Sequence, residues 1–60
     1  SVAELIKDIR LSVAANLLIQ SDQVASVAYA VGFNDRKYFS KEFKKKFGVN
    51  PTQYRENSLR

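Results

Sequence analysis

The stretch that decides the fold is GFNDRKYFSKEFKKKFG, residues 32–48. Phe39, Phe43 and Phe47 recur every four residues, so on a helix they form one apolar stripe. The polar residues on the other side of that helix are Lys37, Ser40, Lys41, Lys44 and Lys45. The spacing predicts a helix over residues 35–47 that packs through its phenylalanines and presents a basic outer face.

A shorter helix is predicted just before this stretch. Its apolar residues repeat at helical spacing: Val24, Val27, Ala28 and Val31. Gly32 then ends it, because a residue just past a helix C-terminus often needs a positive φ, and Gly48 closes the next helix in the same way. Two helices joined by a short glycine-containing break are typical of a helix-turn-helix.

Polar residues mark where the helices begin. Asn34 is the expected N-cap of the helix over residues 35–47, and Ser21 or Asp22 the expected cap of the shorter helix. Asn50 followed by Pro51 predicts an N-cap and a first helical residue, and therefore a last helix over residues 50–58.

The N-terminal third predicts one long helix. Ser1 and Glu4 form a capping box, and no Gly or Pro interrupts residues 2–19. Apolar residues cover most of its circumference: Val2, Leu5, Ile6, Ile9, Val13 and Leu17 in one arc, extended by Ala3, Leu11, Ala14 and Leu18. This arc is wider than the stripe of about 100° expected of a helix on one core. We expect Ala14, Leu17 and Leu18 to face the core, and Val2 and Leu5 to be exposed for a partner outside these residues.

Composition limits the function classes. Sixty residues form one small domain, and the sequence has no Cys and no His. Disulfides, thiolate metal sites and the commonest catalytic base are therefore excluded. No paired nucleophile and base can be drawn, and two glycines cannot build a phosphate-cradling loop. We expect no enzyme activity, no cofactor and no bound metal.

Location is inferred from what the sequence lacks. No signal peptide is present, and no apolar run is long enough to cross a bilayer. The chain begins at Ser1 without a Met, which suggests a fragment. We expect a cytoplasmic protein without a membrane partner.

Charge is concentrated in the second half. Residues 1–33 carry two basic and three acidic side chains, whereas residues 34–60 carry eight basic and three acidic ones. Such a distribution suits a polyanionic partner, or is simply a solvated basic surface. A helix with a basic outer face suits the major groove of double-stranded DNA. The alternative is a basic amphipathic helical module that binds an acidic membrane surface or a partner protein, which requires an exposed phenylalanine stripe.

Residues 24–55, VASVAYAVGFNDRKYFSKEFKKKFGVNPTQYR, closely resemble the C-terminal signature of AraC/XylS-type transcription regulators. Arg10, Leu11, Ala14, Leu17 and Leu18 resemble the linker-helix pattern of the same family. The resemblance implies an all-α, four-helix, homeodomain-like helix-turn-helix unit that is half of a two-unit domain. It divides the chain into a linker helix over residues 1–19, a helix-turn-helix over residues 22–48 and a C-terminal helix over residues 50–58. Residues 34–35 and 37–39 are most similar to members fused to hybrid two-component sensors.

The resemblance also implies which residues contact DNA and which partners the chain has. The residues implied to contact base edges are Arg36, Lys37, Ser40 and Lys41. We expect Lys44 and Lys45, further along the helix, to contact phosphates or to have no specific role. A solvated charged face is the alternative for all of them. Asp35 either accepts a hydrogen bond from cytosine or stabilises the positive end of the helix dipole. The implied partners are double-stranded DNA and an N-terminal helix-turn-helix half of the same domain.

Several other residues are expected to be structural. Arg10 should bond to carbonyls or a carboxylate where the helices meet, although Ser26 stands where many family members carry a Glu that could pair with Arg10. Arg55, near the end of the last helix, should support the recognition helix structurally, with a phosphate contact as the alternative. Tyr29 and Tyr54 should be half-buried, and Lys46 should extend from the core side of its helix towards solvent.

Overall fold

The chain forms four α-helices in a computed structural model that describes residues 1–21 and 23–59. They are α1 (Val2–Gln20), α2 (Val24–Ala30), α3 (Arg36–Phe47) and α4 (Pro51–Ser58). No strand occurs within the described ranges. The all-α prediction is confirmed, and each helix lies within two residues of its expected position.

Local sequence explains two of the helix starts. Ser1 Oγ accepts a hydrogen bond from the Glu4 N–H at 3.2 Å, and Asn50 Oδ1 accepts one from the Gln53 N–H at 2.8 Å. A capping box also requires the Glu4 side chain to accept a hydrogen bond from the backbone N–H of Ser1, and this part of the prediction is wrong. The Glu4 carboxylate accepts from Lys7 Nζ, because a lysine one turn along the helix offers a charged donor.

The caps of α2 and α3 differ from those expected. Asp35, not Asn34, is the N-cap of α3, and its Oδ1 accepts from the Lys37 N–H at 2.9 Å. Ser21 Oγ accepts from the Gln23 N–H at 3.2 Å, which forms a turn ahead of α2 rather than a cap. Gln23 is the N-cap of α2 without a side-chain bond, and Asp22 lies outside the described residues.

Glycine shapes the turn between α2 and α3. Gly32 has a φ of 103°, as the sequence predicts, and the Phe33 N–H donates to the Ala28 carbonyl at 2.9 Å. The Gly32 N–H donates to the Tyr29 carbonyl at 3.0 Å, which completes a Schellman motif. Gly48 likewise has a φ of 84° after α3. A positive φ ends each helix, and glycine stands at both positions because residues with a Cβ rarely adopt such a φ.

The core lies where the C-terminal half of α1 meets the other three helices. Its buried side chains are Leu11, Ala14, Ala15, Leu18, Val24, Val27, Ala28, Phe33, Phe39 and Phe43. Phe39 lies between Phe33 and Phe43, with ring centroids 5.2 Å and 5.7 Å away. The predicted phenylalanine stripe is confirmed as core. Its burial contradicts the exposed stripe that the membrane alternative requires.

One side of α1 carries an apolar strip that nothing in the described chain covers. Val2 is 73% exposed and Leu5 59% exposed, and the strip continues through Ile6, Ile9 and Val13. Ala14 and Leu18 are fully buried and Leu17 is half-buried. The expected division of α1 into a core-facing and an exposed set is confirmed.

Two arginines lie where α1 meets its neighbours. Arg55 Nη1 donates to the Leu18 carbonyl, one of the last four of α1 that lack a partner within the helix. The structural role expected of Arg55 is confirmed, although its bond joins α4 to α1 rather than to α3. Arg10 does not bond a carbonyl or carboxylate among the hydrogen bonds of the described residues. Its guanidinium instead lies over Gly32, where an added Cβ would meet Arg10 Cζ and Nε at 3.0 Å.

The two tyrosine predictions have different outcomes. Tyr54 is half-buried and its ring packs against Phe43, with centroids 5.3 Å apart. Tyr29 is 59% exposed, so the prediction for it is wrong. Because α2 has only two turns and packs through Val24, Val27 and Ala28, its other side faces solvent.

Candidate nucleic-acid interface

The outer face of α3 carries the residues expected to contact DNA. Arg36, Lys37, Lys41, Lys44 and Lys45 are exposed, and Ser40 is half-buried. Burial of Phe39 and Phe43 on the opposite side decides which way this face points. Asp35 positions its first turn, since the Asp35 carboxylate receives the Lys37 N–H. The structure therefore gives Asp35 a capping role at the helix start.

The six side chains form two adjacent rows along α3. Lys37, Lys41 and Lys44 follow each other at helical spacing, with Lys45 beside them. Arg36 and Ser40 form the row nearer the phenylalanines. With a rise of 1.5 Å per residue, the rows extend about 14 Å along the axis. An α-helix is about 10–12 Å in diameter with its side chains, which matches the width of the major groove, about 12 Å.

Ion pairs between α1 and α3 were not anticipated from the sequence. Lys7 Nζ lies 2.7 Å from Glu42 Oε1, and Lys46 Nζ pairs with Asp8 Oδ1. Lys46 also lies 5.5 Å from the centroid of the Phe47 ring, as expected of a lysine that extends outwards from the core side. A helical wheel could have indicated only that Glu42 lies beside the phenylalanine stripe, where a carboxylate needs a cation, and not which cation that is.

The Lys7–Glu42 pair changes the proton affinity of both groups. The hydrogen bond from Lys7 lowers the pKa of the Glu42 carboxyl, although partial burial opposes this. The bonds to Glu42 and then to Glu4 raise the pKa of the Lys7 ammonium above its usual value. Both groups are therefore charged at neutral pH.

We expect the substitution Glu42→Gln to destabilise the chain near neutral pH and to matter less in acid. The usual pKa of the carboxyl is 4.5 and folding lowers it, so its contribution is fully present above about pH 4.5 and is lost as the pH falls through the folded value. Urea unfolding of both proteins between about pH 3 and 8 measures the difference. A difference that does not shrink below pH 4.5 would contradict the assigned ion pair.

These pairs leave the outer face of α3 positive. No carboxylate within residues 1–21 and 23–59 lies in salt-bridge distance of Arg36, Lys37, Lys41 or Lys44. Lys45 Nζ is 3.9 Å from Glu42 Oε2, at the limit of an ion pair. The acidic side chains of the fold thus neutralise the inner lysines and leave the outer cations available to an anionic ligand.

The described part of the chain lacks the features of a membrane span and of a metal site. None of its helices is both long and apolar enough to cross a bilayer. No three acidic side chains cluster there as ligands of a metal ion would.

The tight α2–α3 turn and the basic outer face of α3 define a helix-turn-helix DNA-binding domain. A family model described as a helix-turn-helix domain matches residues 1–57. With the relatives described next, this match shows that the chain belongs to the AraC/XylS-type family, whose domain binds DNA sequence-specifically in transcription regulation.

The chain is similar to several curated proteins. The HTH-type transcriptional activator RhaR of Mannheimia succiniciproducens is 38% identical over 61 residues, which cover 100% of this chain and 22% of that protein. The HTH-type transcriptional activator FapR of Escherichia coli is 40% identical over 52 residues, covering 85% of this chain and 20% of the relative. Histidine kinase P4 of Formosa agariphila is 48% identical over 52 residues, covering 85% of this chain and 4% of the kinase. The chain therefore spans less than a quarter of each of these proteins. No solved structure is significantly similar to it.

Proposed function

We propose that α3 enters the major groove of double-stranded DNA and reads base edges with its first two turns. Arg36, Lys37, Ser40 and Lys41 are the proposed base contacts, because the N-terminal residues of the second helix of a helix-turn-helix reach the bases. Lys44 and Lys45, further along, are proposed to contact phosphates. The observation that carries the proposal is the outer face of α3, whose cations are exposed while its phenylalanines are buried.

Salt dependence of duplex binding tests this proposal. If about four to six phosphates are neutralised, log K should fall against log[salt] with a slope of roughly −4 to −5. Fluorescence anisotropy with a labelled duplex at several salt concentrations measures the slope. An affinity that does not depend on salt would overturn the electrostatic contact.

The proposal separates two kinds of basic residue. Lys41→Ala should cost about 1–3 kcal/mol on the preferred site and relax the preference at one or two base pairs. Lys45→Ala should weaken all duplexes alike, because a phosphate contact carries no sequence information. Selection from random duplexes, run on both variants, gives the preferred motifs. An unchanged motif for Lys41→Ala would remove this lysine from the base-reading set.

We further propose that the chain is half of a two-unit domain, with the boundaries 1–19, 22–48 and 50–58 for its linker helix, helix-turn-helix and C-terminal helix. An N-terminal helix-turn-helix would then cover the apolar strip of α1. The exposure of Val2, Leu5 and Ile9 supports this. So does an open groove of about 690 Å³ beside the strip, lined by Ile6, Arg10 and other residues.

The chain itself is proposed to be non-catalytic and cytoplasmic, as the DNA-binding end of a longer regulator. The similarity to Histidine kinase P4 supports a hybrid two-component protein of this kind. In such a protein any kinase activity would belong to other domains. Sequencing the gene upstream of Ser1 tests this, since a hybrid regulator would place sensor or receiver segments there.

A further inference from the structure

Glu42 is the one acidic residue in α3, and it faces two cations. The helix otherwise carries six basic side chains between Arg36 and Phe47. The Glu42 side chain is only 7% exposed, and its two oxygens point to different lysines. Oε1 receives the Lys7 ammonium at 2.7 Å, whereas Oε2 lies 3.9 Å from the ammonium of Lys45.

The two lysines are held very differently. The Lys7 side chain is 24% exposed and bonds to both Glu4 and Glu42. The Lys45 side chain is 68% exposed, and its ammonium lies 3.9 Å from Glu42 Oε2, at the upper limit for an ion pair. Lys7 is therefore the principal partner of Glu42. Lys45 lies one turn along the same helix, so it can reach the carboxylate by a change of rotamer.

We infer that Lys7 is a positioning residue for DNA binding, which occupies Glu42 and so leaves Lys45 free to contact the DNA backbone. This role rests on the proposed function of α3. Lys7 itself lies on α1, and its ammonium is engaged with carboxylates rather than directed at a ligand.

The physical reason is the cost of an unpartnered carboxylate that is almost buried. Without the Lys7 ammonium, Glu42 needs another cation. Lys45 is the other lysine already within 4 Å of the carboxylate among the described residues. Once it pairs with Glu42, Lys45 no longer neutralises a phosphate. DNA binding is then weakened although no residue on the outer face of α3 has been substituted.

The test measures salt slopes of duplex binding for Lys7→Met, checked by circular dichroism to be folded. Loss of one phosphate contact should make the slope of log K against log[salt] less negative by about 0.9, with the preferred motif unchanged. In the wild-type chain, Lys45→Ala should make the slope less negative by about 0.9. In the Lys7→Met variant, the same substitution should change the slope little. The double variant Lys7→Met/Glu42→Gln should recover the wild-type slope, because no carboxylate remains to attract Lys45.

Asp8→Asn is the matched control, since it removes the other α1–α3 ion pair without leaving a carboxylate unpaired on α3. Its slope should not fall. If Lys7→Met does not fold, Lys7→Gln replaces it, because Gln can still donate a hydrogen bond to Glu42 but carries no charge.

Three results would overturn the inference. One is a folded Lys7→Met variant whose salt slope equals that of the wild type. Another is a further change of about 0.9 in the slope when Lys45→Ala is added to Lys7→Met. The third is a slope that Glu42→Gln does not restore, since that would make Lys7 a direct DNA contact. A wild-type chain without salt-dependent duplex binding would instead overturn the proposed function, and with it this role of Lys7.

Discussion

Phe39→Ala should destabilise the chain by about 3–5 kcal/mol, enough to unfold much of so small a domain. Phe39 is fully buried, and its ring contacts those of Phe33 and Phe43. Truncation removes the ring from the core and leaves a cavity beside the rings of Phe33 and Phe43. Thermal unfolding followed by circular dichroism measures the loss. DNA binding should disappear with the fold rather than through a lost contact.

The neighbouring Tyr38 provides the control for this prediction. It is 47% exposed on the same helix, and its ring meets Phe33 with centroids 5.9 Å apart. Tyr38→Ala removes an aromatic side chain of similar size, but one that buries far less surface. We expect a much smaller loss of stability. If Tyr38→Ala costs as much as Phe39→Ala, the core has been assigned to the wrong side of α3.

Leu5→Ala should change stability little in the 60-residue chain and much more in a longer protein. In the 60-residue chain it should change the free energy of unfolding by no more than about 0.5 kcal/mol, because Leu5 is 59% exposed. In a longer protein that includes the proposed N-terminal unit, the same substitution should cost about 2–5 kcal/mol, since the side chain would then be buried. Urea unfolding of both pairs of proteins gives the comparison.

Leu18→Ala is the matched control, because Leu18 is fully buried within this chain. It should cost about 2–5 kcal/mol in either context. Should Leu5→Ala remain neutral in the longer protein, the apolar strip of α1 is not where the upstream unit docks. The half-domain proposal would then lose its main support.

Much of the fold could be read from local patterns. The phenylalanine spacing predicts both the extent of α3 and its buried side, because a helix brings residues four apart onto one face, whereas a strand would place Lys41 and Lys45 on that face as well. Gly32, Gly48 and the Asn50–Pro51 pair mark helix ends through backbone preferences that depend on few neighbours. The excess of apolar surface on α1 also needs no structure to be recognised, since it follows from counting residues around the helix.

Choices between similar local candidates depended on the rest of the fold. Asn34 and Asp35 are both good N-caps, and the structure uses Asp35. Phe33, just before them, is buried in the core, and that burial directs the chain into α3. Tyr29 lies on the side of α2 that α1 and α3 leave exposed, so its exposure was decided by where those two helices lie.

Contacts between residues far apart in the chain came from tertiary structure alone. Lys7 and Glu42 are 35 positions apart, and Asp8 and Lys46 are 38 apart. Helical periodicity places each residue on a face of its own helix, but does not say which residue of another helix lies opposite. That depends on how α1 crosses α3, which results from the packing of all the core side chains together. The amino-acid pattern therefore predicts the helices, the core side of α3 and its basic face, whereas only the packed fold decides which charges are neutralised inside and which remain for DNA.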